Sequence, residues 1–454
     1  MHGASGEEKN QTKNKMYRRH IYDPDMLYSF LRVVWTDCTI SNSYRKYEVH
    51  GAKDLPKEGA LILASNHCNT LMDALVILRS FKGPTVFGAR ADMFRKPFIA
   101  KLMYFVRILP MVRQRDGLRN VLQNNQTQEI IVDTLEHDVR FCLFPEGKHR
   151  TMHSLQTFGK GGARIAFAAN ERFGADKPIY IVPVGLEYGD YFRYRSTSLV
   201  NYGKAINVTD FLKNGKFEND AQAVDALRQE MKTRMSELMT YIPDDENYEA
   251  KWALLKMCSI YKSRKGYGDM GTDLYDSMLR NRKIAAKIEE MLKQYPEKAK
   301  DILARAAEFD SRRKKAGISI YSFRKMNPKW NAAGKSLAAL IGLPYFIFSA
   351  TVSLPMWATS FKIRSTVKDP AFRNTVSFGV KLAMKLILFP IYAVLAFCLA
   401  PWWLAAALLV LYLPSYYYFH DYIEECRRWF SDIRLLKNRK LYKEFKSIVK
   451  DFSK

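Results

Sequence analysis

The stretch ALILASNHCNTLMDALVIL, residues 60–78, decides how this chain folds. Its opening ALILAS is a short continuous apolar run of the kind a buried strand makes, and its closing LMDALVIL carries apolar residues at helical spacing. A polar turn containing Asn66, His67 and Asn69 separates the two. Strand, short turn and helix form the repeating unit of α/β proteins, which place their chemistry at the ends of such strands. His67 falls in that turn and Asp73 in the first turn of the helix. Six helical steps would put them on different faces, so they meet only because a turn intervenes. The carboxylate would then orient the imidazole and balance its protonated form, while the other ring nitrogen takes a proton from a hydroxyl. Asn69 or Thr70 is expected to cap the helix.

The same alternation extends outward. PTVFGA (84–89), VRFCLF (139–144), IYIVPVGLEY (179–188) and LVNYGKAINV (199–208) read as strands, FIAKLMYFVRIL (98–109) and GGARIAFAANERF (161–173) as helices. Residues 47–210 are therefore expected to form an α/β domain, a mixed or mainly parallel sheet with flanking helices. No Gly-x-Gly-x-x-Gly or Walker pattern follows any strand, which argues against nucleotide binding. Beyond it, Val224, Leu227, Met231, Met235 and Leu238 recur at helical spacing, and residues 211–330 read as a helical extension.

In composition, the 454 residues carry 72 Lys plus Arg against 46 Asp plus Glu, a net charge of +26 that calls for a polyanionic partner. Apolar residues make up 48%, too many for a disordered chain. Six scattered cysteines without a Cys-x-x-Cys pair indicate neither a disulfide framework nor a zinc ribbon. The basic residues gather beside apolar stretches instead of forming a groove-reading motif, so nucleic acid is not the expected partner and membrane lipid is. Residues 1–46 read as a polar tail with an amphipathic helix at Met26–Trp35. Residues 336–359 and 386–419 are uncharged, so residues 331–420 are expected to be membrane-embedded, and 421–454 to be a basic C-terminal tail. The second run is about 51 Å as one helix, too long for a single crossing, and is expected to turn near Pro401. Bases flank both runs, which favours a dip and return that leaves every flank on the cytoplasmic side.

Three further blocks complete the constellation. RILPMVRQRDG places Arg113 and Arg115 after an apolar segment, where a guanidinium can grip a phosphate. VRFCLFPEGKHR runs from a strand into a turn with Glu146, Gly147 and Arg150, and FGKGGARIAFAA sets Lys160 before a helix. IVPVGLEY is a strand containing Pro183. His149 and His153 near Glu146 are expected to be a polar rim and not a metal set, and Cys68, adjacent to His67, is expected to point its side chain away from it.

In this order, the blocks resemble the phospholipid and glycerol acyltransferase family: Asn66-His67 with Asp73, then Arg113, then Phe144 to Gly147, then Val182-Pro183. The resemblance covers about residues 47–210 and implies a glycerolipid acyltransferase fold. It makes His67 the general base, Asp73 its orienting partner, Arg113 a phosphate ligand, and Glu146 and Gly147 part of the acceptor site. Two departures stand out. Five residues separate His67 from Asp73, where four is commoner; a branch accepting glycerol 3-phosphate or dihydroxyacetone phosphate is similar in this respect. Lys148, His149 and Arg150 replace the usual Thr-Arg-Ser, so Arg150, Arg115 or Lys160 would share the phosphate.

The implied reaction is transfer of a fatty acyl group from acyl-CoA or acyl carrier protein to a glycerol-phosphate acceptor. The acceptor is 1-acyl-sn-glycerol 3-phosphate or, alternatively, glycerol 3-phosphate. No cofactor and no metal are implied. Amides at the start of the helix after Asn66 are expected to meet the tetrahedral oxyanion. The expected location is the membrane, with the catalytic domain on its cytoplasmic face. A non-catalytic lipid-binding protein is the rival of another class.

Overall fold

The computed structural model describes residues 20–111, 119–174, 176–262, 273–324, 328–368 and 370–453. Eight strands among them form one sheet: β1 Tyr44–His50, β2 Ala60–Ser65, β3 Thr85–Arg90, β4 Ile108–Met111, β5 Arg140–Leu143, β6 Ile179–Tyr188, β7 Ser196–Tyr202 and β8 Ile206–Asn207. Their order is β1-β7-β6-β2-β5-β3-β4, with β8 beside β6. Strands β2 to β6 are mutually parallel, β7 and β8 run against β6, and β1 runs with β7. The sheet is thus mixed and mostly parallel.

Strand β2 is central because both its faces are apolar. Ala60, Ile62 and Ala64 face one core, shared with α5 (Arg119–Glu136), α6 (Gly161–Phe173) and α8 (Asp220–Ser236). Leu63 faces the other, shared with α2 (Cys38–Ser43) and α3 (Leu71–Ser80). The register pairs Ala64 with Leu143 and Ser65 with Val184, so the turns after β2 and β5 leave the same end of the sheet side by side.

Several boundaries differ from expectation. Strand β1, polar along much of YRKYEVH, begins ahead of residue 47. The run read as one helix over 98–109 is α4 (Pro97–Phe105) followed by β4, the chain turning at Arg107 with φ 61°. Residues 199–208 hold parts of two strands, separated at Gly203. Ahead of β1, α1 (Met26–Leu31) joins α2 through a π-helical stretch, and its Met26, Leu27 and Phe30 stay exposed.

After α7 (Val208–Asn214) and α8, helices α9 (Tyr248–Lys262), α10 (Leu274–Gln294) and α11 (Pro296–Lys315) form the helical extension around a core of their own. Three long helices follow: α12 (Pro328–Ser365), α13 (Pro370–Leu399) and α14 (Trp402–Lys437). Each is long and apolar enough to cross a membrane. The chain turns at Pro401, the residue preceding α14, as its backbone demands. The boundary expected at 420 falls inside α14, which runs on until Leu435 joins the extension's core. The segment read as a tail is instead a helix, α15 (Arg439–Ser453), whose Leu441, Phe445, Ile448, Val449 and Phe452 are buried in that same core.

Helix α12 reverses direction. Its first half pairs antiparallel with α14: Lys335 meets Asp432 at 2.7 Å, the Tyr422 hydroxyl donates to the Ala339 carbonyl at 2.9 Å, and Tyr345 donates to Leu411 at 2.7 Å. Its second half pairs antiparallel with α13: Tyr392 donates to the Val352 carbonyl at 3.1 Å, and the hydroxyls of Ser360 and Ser377 lie 2.9 Å apart. Trp357 is already back at His420, ring centroids 5.7 Å apart. The bend lies between Pro344 and Pro355, each of which removes a helical hydrogen bond.

These helices fasten to the sheet domain through charge and aromatic contacts. Asp421 accepts from Arg45 at 2.8 Å and from Arg195 at 3.1 Å, and the Lys381 ammonium lies over the rings of Trp357 (4.0 Å) and Tyr194 (4.2 Å).

Candidate active site

The turn between β2 and α3 is built around one carboxylate. Asp73 is fully buried, and its carboxylate serves residues 67–69 and β6. Its Oδ2 lies 2.8 Å from Nδ1 of His67 and accepts the backbone N–H groups of Cys68 (2.8 Å) and Asn69 (2.7 Å). Its Oδ1 accepts the Tyr188 hydroxyl at 2.7 Å. A carboxylate in the first turn of a helix, reaching back to free amides, is favoured by hydrogen bonding and by the helix dipole together. Neither Asn69 nor Thr70 caps α3 with its side chain, because Asp73 does that work. The Asn69 side chain instead donates to the Tyr191 carbonyl at 3.2 Å.

With Nδ1 turned to the carboxylate, Nε2 is the nitrogen left to act on a substrate. The His67 side chain keeps 19% of its surface accessible while Asp73 keeps 0%. Phe144 stacks on the imidazole, ring centroids 4.2 Å apart at 18°, and His149 stands edge-on at 5.8 Å. The imidazole is therefore fixed at one edge by a carboxylate and on one face by a phenyl ring.

Glu146 completes the turn from the neighbouring strand. Its Oε1 accepts the His67 backbone N–H at 2.9 Å and its Oε2 the Gln156 N–H at 3.0 Å. Burial pushes the Glu146 carboxyl upward, and these two backbone donors pull against that rise. Gly147 takes a left-handed φ of 65°, closing the turn with its N–H on the Phe144 carbonyl at 3.0 Å. The amides of His67, Cys68 and Asn69, which precede the helix, are all engaged by carboxylates.

The other anticipated residues are placed as follows. Asn66 is buried, its side-chain amide exchanging two hydrogen bonds with the Leu186 backbone at 3.1 and 2.7 Å, so it locks the turn to β6. Arg150 donates its backbone N–H to the His67 carbonyl at 2.9 Å and Nη1 to Asp244 at 2.5 Å. Its Nε and Nη2 are buried without a hydrogen-bond partner among the described residues. Lys160 precedes α6 and pairs with Asp225 at 3.4 Å. Arg113 and Arg115 lie outside the described residues. Burial pushes the Cys68 thiol well up, with Asp73 adding to the rise, so the sulfur stays protonated. His153 is buried against Glu187 at 3.3 Å and packs on Trp252, centroids 4.2 Å apart. Sequence reasoning missed Tyr188 and Phe144 as neighbours of the His–Asp pair; only the β6 register and the FPEG turn reveal them.

Sheet and turn together define an α/β protein with a His–Asp pair at the end of its central strand, a general-base arrangement. A family model described as Acyltransferase matches residues 46–187, and this segment is an acyltransferase domain. Among solved structures, the 1-acyl-sn-glycerophosphate (LPA) acyltransferase of Thermotoga maritima is similar at 14% identity and a TM-score of 0.33, over 51% of this chain and 89% of that one. That likeness is too distant to bear on the chemistry. No curated protein matches the chain.

Proposed function

We propose that the protein is a membrane-bound O-acyltransferase that moves a fatty acyl group from acyl-CoA or acyl carrier protein to 1-acyl-sn-glycerol 3-phosphate. The observation that carries the reading is the His67–Asp73 contact at 2.8 Å inside a segment of the acyltransferase family. Nε2 of His67 takes the proton of the acceptor hydroxyl, whose oxygen attacks the thioester carbonyl. Asp73 balances the imidazolium. The tetrahedral intermediate collapses with loss of the C–S bond, and the departing sulfur recovers the proton from Nε2. No covalent acyl-enzyme and no metal enter this route. Arg113, with Arg115, Arg150 and Lys160, is assigned to the acceptor phosphate on its charge and its place in the motif order.

The three apolar helices hold the domain against the bilayer that supplies the acceptor, and their basic flanks favour the cytoplasmic face. The test is the purified full chain with labelled acyl-CoA and a panel of phosphorylated acceptors. Product is expected with 1-acyl-sn-glycerol 3-phosphate, and His67→Ala is expected to lower turnover by about 10²- to 10⁴-fold with folding intact. Product only with glycerol 3-phosphate would move the acceptor assignment to the alternative. A His67→Ala variant keeping more than about a tenth of wild-type turnover would defeat the general-base assignment.

A further inference from the structure

Thr70 lies between the His67 turn and α3 with φ 48° and ψ −126°, a conformation that a β-branched residue rarely adopts. Such strain persists only where the surroundings impose it. One of those surroundings is not part of the sheet domain: Oγ1 of Thr70 lies 3.1 Å from Oγ1 of Thr375, near the start of α13. Three residues further along α13, Phe378 is buried in the same core as Leu63, Cys68, Met72 and Tyr188, directly beneath the turn. The Phe378 ring stands edge-on to Tyr44 at 6.3 Å, and the Tyr44 hydroxyl accepts from the Asn69 side chain at 3.4 Å. From α13, Thr375 therefore touches Thr70 directly, and Phe378 touches Tyr44, which in turn holds the Asn69 side chain. The amides of Cys68 and Asn69, in the same turn, are the ones that hold Asp73.

We propose that α13 is part of the active-site scaffold as well as an anchor, with Thr375 and Phe378 as positioning residues for the turn that carries His67 and Asp73. The inference rests on the acyl-transfer reading above. It also means that residues 46–187 are incomplete at the back of their own site, and that turnover depends on how α13 is seated. A membrane helix that shifts by a turn withdraws both contacts together, because Thr375 and Phe378 share one face at i, i+3 spacing.

The test uses the full chain in lipid nanodiscs with Thr375→Val, Thr375→Ser, Thr70→Gly and the Thr70→Gly/Thr375→Val pair. Thr375→Val keeps the shape and removes the hydroxyl, so kcat is expected to fall roughly tenfold, one hydrogen bond's worth, with KM for both substrates unchanged. Thr375→Ser restores it. In the Thr70→Gly background, Thr375→Val costs nothing further, since the contact is already gone. Hydrogen exchange at the Cys68 and Asn69 amides is expected to quicken in Thr375→Val, whereas Leu399→Ala, at the far end of α13, leaves it unchanged. Wild-type kcat and wild-type exchange in Thr375→Val, with His67→Ala inactive, overturn the brace alone. Quickened exchange in Thr375→Val while His67→Ala stays active overturns the acyl-transfer assignment and leaves the brace standing.

Discussion

Tyr188 donates its phenolic hydrogen to Oδ1 of Asp73 at 2.7 Å, the carboxylate oxygen that His67 does not use. Both side chains are buried, so removing the hydroxyl leaves Oδ1 of a buried carboxylate with only the weak Cys68 thiol donor, its sulfur 3.7 Å away. Tyr188→Phe is predicted to cost about 1–3 kcal/mol of stability, the usual penalty for an unsatisfied buried acceptor, and to lower kcat less than His67→Ala does. Thermal melting and steady-state kinetics check it. A Tyr188→Phe protein as stable as wild type would mean that Asp73 rotates to find another donor.

Arg113 is predicted to act on the phosphorylated acceptor alone. A charge-assisted contact of about 1.5–3 kcal/mol corresponds to a rise in the acceptor's KM of about ten- to a hundredfold in Arg113→Ala, with the thioester's KM unchanged. Comparable rises for both substrates would assign the residue to structure. Arg115→Ala is the companion variant: if it alone shows the acceptor defect, the phosphate ligand is Arg115.

Lys256, in the helical extension, is held down to about 8 by burial, against the pull of Asp310 at 3.9 Å. An unfolded lysine keeps its proton to about pH 10.4. Between pH 8 and 10 the unfolded chain therefore binds more protons than the folded one, and this group's contribution to stability rises with pH across that window. Arg313 and Lys314 remain to pair Asp310 when the ammonium is removed. Lys256→Met is accordingly predicted to be more stable than wild type by about 1 kcal/mol at pH 7, and to lose that advantage as the pH approaches 9.5. Melting curves of the two proteins at pH 7 and 9.5 measure this, and a pH-independent difference refutes it.

The pairing of α12 with α14 and then with α13 predicts that both ends of the helical bundle lie on one side of a bilayer. Ser453→Cys, exposed at the end of α15, and a cysteine placed in the exposed turn at Lys148 should then react with an impermeant thiol reagent from the same side of sealed vesicles. Labelling from opposite sides would instead require three crossings.

How far the sequence could be read depended on whether each residue's partner was local. Strand β2, strand β6 and helix α6 begin and end where their apolar runs and flanking turns say, because each is central or packs along its whole length. Strand β4 was hidden inside a helical pattern: ILPM contains a proline, which a strand tolerates here because β4 is the last in the sheet and has an open edge. The His67–Asp73 pair was legible because six residues and a turn suffice to bring the two together. Tyr188, 115 residues away from Asp73, and Thr375, 305 residues away from Thr70, were not, since only the folded chain brings them there. Glu146 was legible as a motif residue but not in its contacts, because sequence does not reveal that a carboxylate will be spent on two backbone amides.

The reversal of α12 and the turn at Pro401 bear on how the protein is put together. The two stretches that would enter a bilayer, residues 336–359 and 386–419, contain no charged residue, and the chain returns after each. Carrying a lysine or arginine through the centre of a bilayer costs about 2.5–3.5 kcal/mol on insertion scales, and this chain carries none across. Both hairpins can therefore enter a bilayer as closed wedges without taking a charge to its centre. Phe378 of α13 shares one core with Cys68 of the turn and Met72 of α3, so seating this helix and completing that core are a single event.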